Sequence, residues 1–322
     1  MKTANVIIHS NEPGEAAAVV RKTHPDLNLF TSDSFAALPA MIEETGAEVV
    51  YSVRFDSVTP YPREAVVENE QVKWLAVGGS GTDHLGQWDP GEVTVTNSAG
   101  VAADMMAEYT IGAMLSFSLD FKGFRSAQER REWLPDGRVR PIQGATLLII
   151  GLGQTGRATA RRAKAMGMTV LGVRARPQDT EHVDEVHAVE ALPNLYPRAD
   201  YILVCVPRLP STLGLLDAAA FAEMKSGAIL IDVSRGGVCD EASLIHALQN
   251  GPLAGAALDV FKTEPLPESS PFWEMDNVIL TPHCSSVFDG WYRSSAQMFA
   301  ENLTRYRSGD PLENIVDPVR GY

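Results

Sequence analysis

Three side chains in the second half of the chain have the types that proton and carboxylate chemistry needs. Arg235 stands in Ser234-Arg235-Gly236-Gly237, just after the apolar run AILIDV at 228–233. Glu264 stands in Asp259-Val-Phe-Lys-Thr-Glu264-Pro-Leu-Pro267, after the run GAAL at 255–258. His283 stands in Thr281-Pro282-His283-Cys284-Ser285-Ser286, after the run VIL at 278–280. A guanidinium can grip a carboxylate with two parallel hydrogen bonds and so orient a neighbouring ketone. An imidazolium can give a proton to that carbonyl oxygen as hydride reaches carbon, and can take it back in the reverse direction. A carboxylate beside the ring selects one tautomer and favours the charged form. The set suits a 2-oxoacid. Each residue alone has a structural alternative: an arginine on a backbone carbonyl, a histidine in packing, a glutamate on a solvated loop. Their shared position after strands of one α/β run favours the chemical reading.

The element that must position them begins at Thr146. Residues 146–150 form an apolar, β-branched run of strand length, entering Gly151-Leu-Gly153-Gln154-Thr155-Gly156. Residues 157–166 are strong helix formers, Gly167 is a stop, and residues 168–173 read as a second strand. This βαβ unit frames a dinucleotide fingerprint. Gly151 serves the tight turn, Gly153 lets a pyrophosphate approach, and Gly156 lets helix and strand pack closely. The helix N-terminus, where Gln154 and Thr155 lie, presents N–H groups to the anion. At the end of the second strand an NAD site usually places a carboxylate; here the sequence is Gly172-Val-Arg174-Ala-Arg176-Pro177. A guanidinium can bind a 2′-phosphate that a carboxylate would repel. NADP(H) is therefore the expected cofactor, with NAD(H) possible, and two solvated arginines are the alternative.

Composition narrows the class. With 322 residues, 45% of them hydrophobic and 21% charged, the chain suits a globular protein of two ordinary domains. A net charge of −14 argues against nucleic acid as a partner. Cys205, Cys239 and Cys284 are scattered and form no CxxC pair, which suits free thiols in a reducing, cytoplasmic setting. The N-terminal MKTANVIIHSNEPGE is not expected to be a signal peptide, and no apolar run has the length of a membrane span. The one His-rich cluster, residues 181–187, has the composition of an exposed segment, so no metal site is expected. Gly79-Ser80-Gly81 lacks the spacing of a serine-hydrolase elbow.

Strand-like runs at 5–9, 27–30, 47–52, 73–77 and 93–96 alternate with helical stretches, and the alternation resumes after the central motif at 201–206. The expected fold class is α/β: two Rossmann-like, doubly wound, parallel-sheet domains with a cleft between them. A long apolar helix at 104–121 is expected to carry the chain from the first domain to the second, its methionines in the core. A second long helix is expected at 285–307. The domains implied are 1–100 with 287–322, a flavodoxin-like substrate domain, and 101–286, a dinucleotide-binding domain.

Together and in this order, GLGQTGR, SRGG, DVFKTEPLP and TPHCSS resemble the D-isomer-specific 2-hydroxyacid dehydrogenases. The resemblance extends through the VGGSGTDHLG loop and the NSAGVAADMMAEYTIGAML stretch. EPLPESSPFWEMDNVILTPH and the terminal VDPVRGY are most similar to the NADPH-dependent glyoxylate/hydroxypyruvate reductases of that family. The resemblance implies that Arg235 binds the substrate carboxylate and that Glu264 and His283 form the acid/base pair. It implies a second anchor in the Gly79 loop, from the N–H groups of Ser80 and Gly81. It also implies cofactor contacts from Val206, Pro207, Ser234 and Asp259, the last to the nicotinamide carboxamide, and a homodimer with the 104 helix region at its interface. Arg54 departs from the small or apolar residue of many relatives. It either adds positive charge to the substrate pocket or faces solvent. The implied activity is reduction of a small 2-oxoacid such as glyoxylate or hydroxypyruvate to a D-2-hydroxyacid with NADPH. A protein of the same fold that only senses NAD(P), and an enzyme acting on formate or phosphite, are the rivals.

Overall fold

The structure is a computed structural model that describes residues 4–53, 59–135 and 139–321. It separates into two compact units, residues 1–101 with 288–322, and residues 102–287. Among the described residues no helix is long and apolar enough to cross a membrane.

The first unit runs β1 (Asn5–His9), α1 (Pro13–Thr23), β2 (Asn28–Ser32), α2 (Leu38–Thr45), β3 (Val49–Ser52), α3 (Arg63–Val67), β4 (Trp74–Val77) and β5 (Thr94–Asn97). The strands form one parallel sheet in the order β2-β1-β3-β4-β5. Strand residues alternate between faces, so each strand feeds two cores. Val6, Ile8, Val49, Tyr51, Trp74 and Ala76 face one; Ile7, Val50, Leu75 and Val95 face the other with Leu38 and Ile42 of α2. The first core is closed by the C-terminal helix, Trp291–Ser308, through Ala296, Phe299, Ala300 and Leu303. Phe299 lies 5.0 Å from Tyr51 and 5.2 Å from Trp74 between ring centroids. A buried polar tie adds direction to this packing. Arg307 donates to His24 Nδ1 at 3.1 Å and Asp26 Oδ1 at 3.0 Å, and His24 Nε2 donates to Ala300 O at 3.0 Å. The chain then adds residues 314–316 antiparallel along the edge of β5, covering groups an edge strand would expose.

The second unit begins with α4 (Ala103–Ser118) and α5 (Phe121–Arg130), continues through β6 (Thr146–Ile150), α6 (Gln154–Ala165), β7 (Thr169–Val173), β8 (Glu185–His187), α7 (Leu192–Leu195) and β9 (Tyr201–Val204), and ends with α8 (Ala218–Ala222), β10 (Ala228–Asp232), α9 (Glu241–Gln249), β11 (Leu253–Leu258) and β12 (Val278–Leu280). Its seven strands are parallel in the order β12-β11-β10-β9-β6-β7-β8. The order reverses between β6 and β9, the switch point where such sheets bind ligands outside the carboxyl ends of their strands. In β6, Leu147 and Ile149 pack with Met114 and Ala160, and Leu148 and Ile150 with Val204 and Leu230 on the other face. Each such fully buried side chain contributes about 1.5–3 kcal/mol relative to exposure. The buried face of α6 is Gly156, Thr159, Ala160 and Ala163, small residues that allow a close approach to sheet and α4.

Three local expectations need correction. The helix expected at 104–121 ends at Ser118 and restarts at Phe121. Between them Asp120 takes φ 49°, and its carboxylate caps α5 by accepting from Gly123 N at 3.2 Å. The whole stretch lies inside the second unit, which begins at Ala102. The helix expected from 285 starts only at Trp291, after Gly290 at φ 85°. The His-rich segment is not simply exposed. Residues 185–187 are half-buried edge strand β8, and Glu185 is gripped by Arg198 at 2.6 and 3.0 Å and by His187 at 2.9 Å.

Candidate active site

Strand β6 delivers the chain to Gly151, whose φ of 111° is in the region glycine tolerates. A Cβ there would stand 2.8 Å from Cys205 O and 3.0 Å from Val206 Cγ1. At Gly156 a Cβ would stand 2.1 Å from Gly151 O, so only glycine lets α6 pack on the turn. Gly153 has the opposite character, with nothing within 4 Å of its Cβ position. It is the extended N-cap of α6 and offers no side-chain cap, so the first-turn N–H groups face open space. Gln154 accepts from Arg157 Nη2 at 2.9 Å, and Thr155 Oγ1 donates to Met106 Sδ at 3.5 Å, which aligns that first turn. Pro207 continues the wall beyond Val206, its carbonyl accepting from Thr212 Oγ1 at 2.7 Å.

Arg174 follows β7 and keeps the sheet going for one more bond, its N–H donating to His187 O at 3.1 Å. Its Nη1 is buried and has no hydrogen-bond partner among the described residues. A guanidinium nitrogen buried without a partner is costly. Arg176 is exposed on the same loop. An open glycine turn and an uncapped helix N-terminus after the first strand of the second sheet fit a dinucleotide.

On the same sheet the loops after β10, β11 and β12 bring Arg235, Glu264 and His283 together. His283 Nδ1 and Glu264 Oε2 are 2.8 Å apart. Glu264 Oε1 accepts from Phe261 N at 2.9 Å, which fixes the carboxylate plane. Burial opposes ionisation of Glu264, but the bonds from His283 and Phe261 and the charge of Arg235 outweigh it and hold the carboxyl below its ordinary range. The half-buried Arg235 donates to Ser234 O at 2.7 Å. The loop of Arg235 is pressed against that of Glu264, because a Cβ on Gly236 would stand 1.9 Å from Phe261 O. Ser234 is fixed by the buried Asp232, which accepts from its N–H at 2.9 Å and from its hydroxyl. Burial pushes the Asp232 carboxyl up, against the bonds from Ser234.

His283 sits at φ 52°, a strained conformation for a non-glycine residue. Asp259, fully buried, holds it there. Its backbone oxygen accepts from His283 N at 2.9 Å. Its carboxylate accepts from Thr281 Oγ1 at 2.6 Å, Cys284 N at 2.8 Å and Ser285 N at 3.0 Å. Tyr109 of α4 lies 2.8 Å from the same Thr281 hydroxyl. This clamp was not read from the sequence; its only signal is a hydroxyl two residues before the histidine.

The expected second anchor, Gly79, Ser80 and Gly81, lies after β4 in the first unit, with Ser80 exposed. Arg54 and Phe55 lie outside the described residues.

A glycine turn opening a helix, on a seven-stranded parallel sheet, is the architecture of a dinucleotide-binding fold. The sequence profile of the D-isomer specific 2-hydroxyacid dehydrogenase NAD binding domain matches residues 111–285. The chain belongs to the D-isomer specific 2-hydroxyacid dehydrogenase family. It is 32% identical over 266 residues to a D-3-phosphoglycerate dehydrogenase of Methanocaldococcus jannaschii, covering 81% of this chain and only 50% of that protein. It is 30% identical over 307 residues to a glyoxylate reductase of Korarchaeum cryptofilum, covering 91% of this chain and 90% of that protein. Its fold matches a crystal structure of a D-isomer specific 2-hydroxyacid dehydrogenase from Xanthobacter autotrophicus in complex with NADPH and MES. The TM-score is 0.87, with 31% identity and 100% of both chains covered.

Proposed function

We propose that this chain reduces a small 2-oxoacid to a D-2-hydroxyacid with NADPH, with NADH as a poorer substitute. The observation that carries the reading is the 2.8 Å bond between Glu264 Oε2 and His283 Nδ1 on strand-end loops of a dinucleotide-binding sheet. With Nδ1 committed to Glu264, Nε2 is the nitrogen that exchanges a proton with substrate. Glu264 stays ionised and stabilises the imidazolium in the proton-donating state. Arg235 grips the carboxylate and sets the ketone against His283. The nicotinamide group, when bound, supplies the hydride. Arg174, with Nη1 unpaired, binds the 2′-phosphate, and Arg176 lies beside it. The NADPH held by the Xanthobacter autotrophicus relative accords with this.

We assign the first unit to substrate and the second to the dinucleotide, and the N–H groups of Ser80 and Gly81 to carboxylate anchoring. Glyoxylate and hydroxypyruvate are the first substrates to try, given the relative named glyoxylate reductase. A homodimer accords with the exposed Phe121, Phe124, Trp133, Leu134 and Val139 on and after α5. Three free cysteines accord with a cytoplasmic setting.

The test is purified protein with glyoxylate, then hydroxypyruvate and a wider oxoacid panel, following loss of reduced nicotinamide absorbance. Turnover with NADPH well above NADH is expected. Tight NADPH binding with no turnover across the panel would favour a non-catalytic sensor. Light scattering tests the dimer.

A further inference from the structure

The loop after β4 shows how a backbone anion site is held open from behind. Three successive carbonyls of this loop are tied into the body of the first unit. Gly78 O accepts from Ser295 Oγ at 2.7 Å. Gly79 O accepts from Ser98 N at 2.9 Å. Ser80 O accepts from Asn97 Nδ2 at 2.8 Å. A trans peptide points its N–H opposite to its C=O. Tying these carbonyls inward therefore turns the N–H groups of Gly79, Ser80 and Gly81 the other way. Those three N–H groups make no hydrogen bond among the described residues. Consecutive outward N–H groups form a nest of partial positive charge suited to a carboxylate.

The tie at Gly78 is built from hydroxyls. Ser295, on the C-terminal helix, is fully buried. It gives its one proton to Gly78 O, so its lone pairs are left to accept. Tyr51 Oη donates to Ser295 Oγ at 2.9 Å, and Ser98 Oγ lies 3.0 Å from it. Ser98 has one proton to share between Ser295 and Val77 O at 3.3 Å. Ser295 thus donates to Gly78 O, accepts from Tyr51, and has a second lone pair that Ser98 can fill. Burial pushes the Tyr51 hydroxyl up to about 12, so it remains a donor across the working range. Tyr51 and Val53 also press on Gly78, where a Cβ would stand 2.9 Å from Tyr51 Oη and 2.5 Å from Val53 Cγ2. Asn97 is held in turn, its Oδ1 accepting from Ala99 N at 3.1 Å and its own N–H donating to Asn314 O at 3.1 Å.

We infer that Ser295 and Asn97 are positioning residues for substrate binding: they aim the N–H groups of Gly79, Ser80 and Gly81 at the substrate carboxylate. This rests on the anchoring role proposed for that loop. The C-terminal helix then has a role in affinity besides closing a core. Loss of either tie lets a carbonyl swing outward and replace a donor with an acceptor at the anion.

The experiment compares wild type, Ser295→Ala, Asn97→Ala and the hydroxyl-preserving Ser295→Thr. Steady-state kinetics with glyoxylate and NADPH are run beside calorimetric binding of oxamate to the NADPH-loaded protein and thermal melts. Expected is a rise of about tenfold in KM for glyoxylate and in Kd for oxamate in both alanine variants, the loss of one well-placed charge-assisted bond. The kcat and the KM for NADPH should stay within about twofold, and Ser295→Thr should recover most of the affinity. A lowered melting temperature with unchanged KM and oxamate affinity would mean a structural role and overturn the inference. If Ser295→Ala does not fold, Asn97→Ala decides alone. If wild type turns over no oxoacid, the functional reading fails, and oxamate binding still decides this one. Weakening in both variants supports it, while equal binding throughout, or none to wild type, overturns it.

Discussion

Replacing Arg174 by Ala separates the binding of a phosphorylated ribose from everything else the fold does. Without cofactor the guanidinium returns little, since its Nη1 is buried without a partner among the described residues while the backbone bond to His187 O is kept by any residue. Leaving such a group unpaired costs about 1–3 kcal/mol. Removing it also gives up stem packing worth about 0.8 kcal/mol per buried methylene. The two nearly cancel, so the melting temperature of the free protein should hold or rise slightly. With NADPH the balance is different. Charge-assisted bonds to a phosphate are worth about 1.5–3 kcal/mol, so losing this contact should weaken NADPH by roughly 10- to 150-fold. NADH has no phosphate there and should change by less than about threefold. The assay is the KM for each dinucleotide at saturating glyoxylate, with thermal shift at increasing NADPH as an independent reading. An unchanged NADPH-to-NADH ratio, or a large fall in melting temperature without cofactor, would show that Arg174 is structural and that the argument from its unpaired nitrogen is wrong.

Three further outcomes are expected. His283→Ala should lower kcat by about 10²–10⁴ with NADPH binding kept by thermal shift, and near-normal turnover would remove His283 from the proton transfer. Gly236→Ala places a Cβ 1.9 Å from Phe261 O, forcing apart the loops of Arg235 and Glu264. It should cost about 1–3 kcal/mol of stability and roughly a hundredfold in kcat/KM; normal kinetics would show that the loops need not touch. Glu264 is held below its ordinary value in the folded state, so near that value the unfolded chain binds more protons and stability rises with pH. Its contribution is therefore present above the ordinary carboxylate range and lost as pH falls through the folded pKa. Melting temperatures from about pH 3 to pH 6 should slope less in Glu264→Gln than in wild type, and parallel curves would refute the assignment.

Much of the local order was legible because it depends on neighbours in sequence. The run at 146–150, the glycines that follow and the helix formers after them describe a strand, a turn and a helix whose geometry is decided within about 30 residues. The corrected helices failed for a local reason too. Asp120 three residues before Gly123 is a capping signal inside an apolar run, and Gly290 is a start signal hidden before Trp291. Both were outweighed by continuous hydrophobic periodicity, which reports burial and not backbone continuity.

Local sequence specifies the α/β class, the dinucleotide turn, and the residue types available for acid/base work. It also shows that an arginine stands where a carboxylate is usual. Which partners those residues take depends on the folded arrangement of strands and helices. The bond between His283 and Glu264 spans 19 positions, the clamp of Asp259 on Cys284 spans 25, and the tie from Ser295 to Gly78 spans 217. No local propensity encodes such pairings. They arise when parallel strands set their carboxyl ends side by side and when a C-terminal helix buries its apolar face on the first sheet. Burial then makes each unpaired polar group costly enough that hydroxyls, carbonyls and carboxylates must find one another.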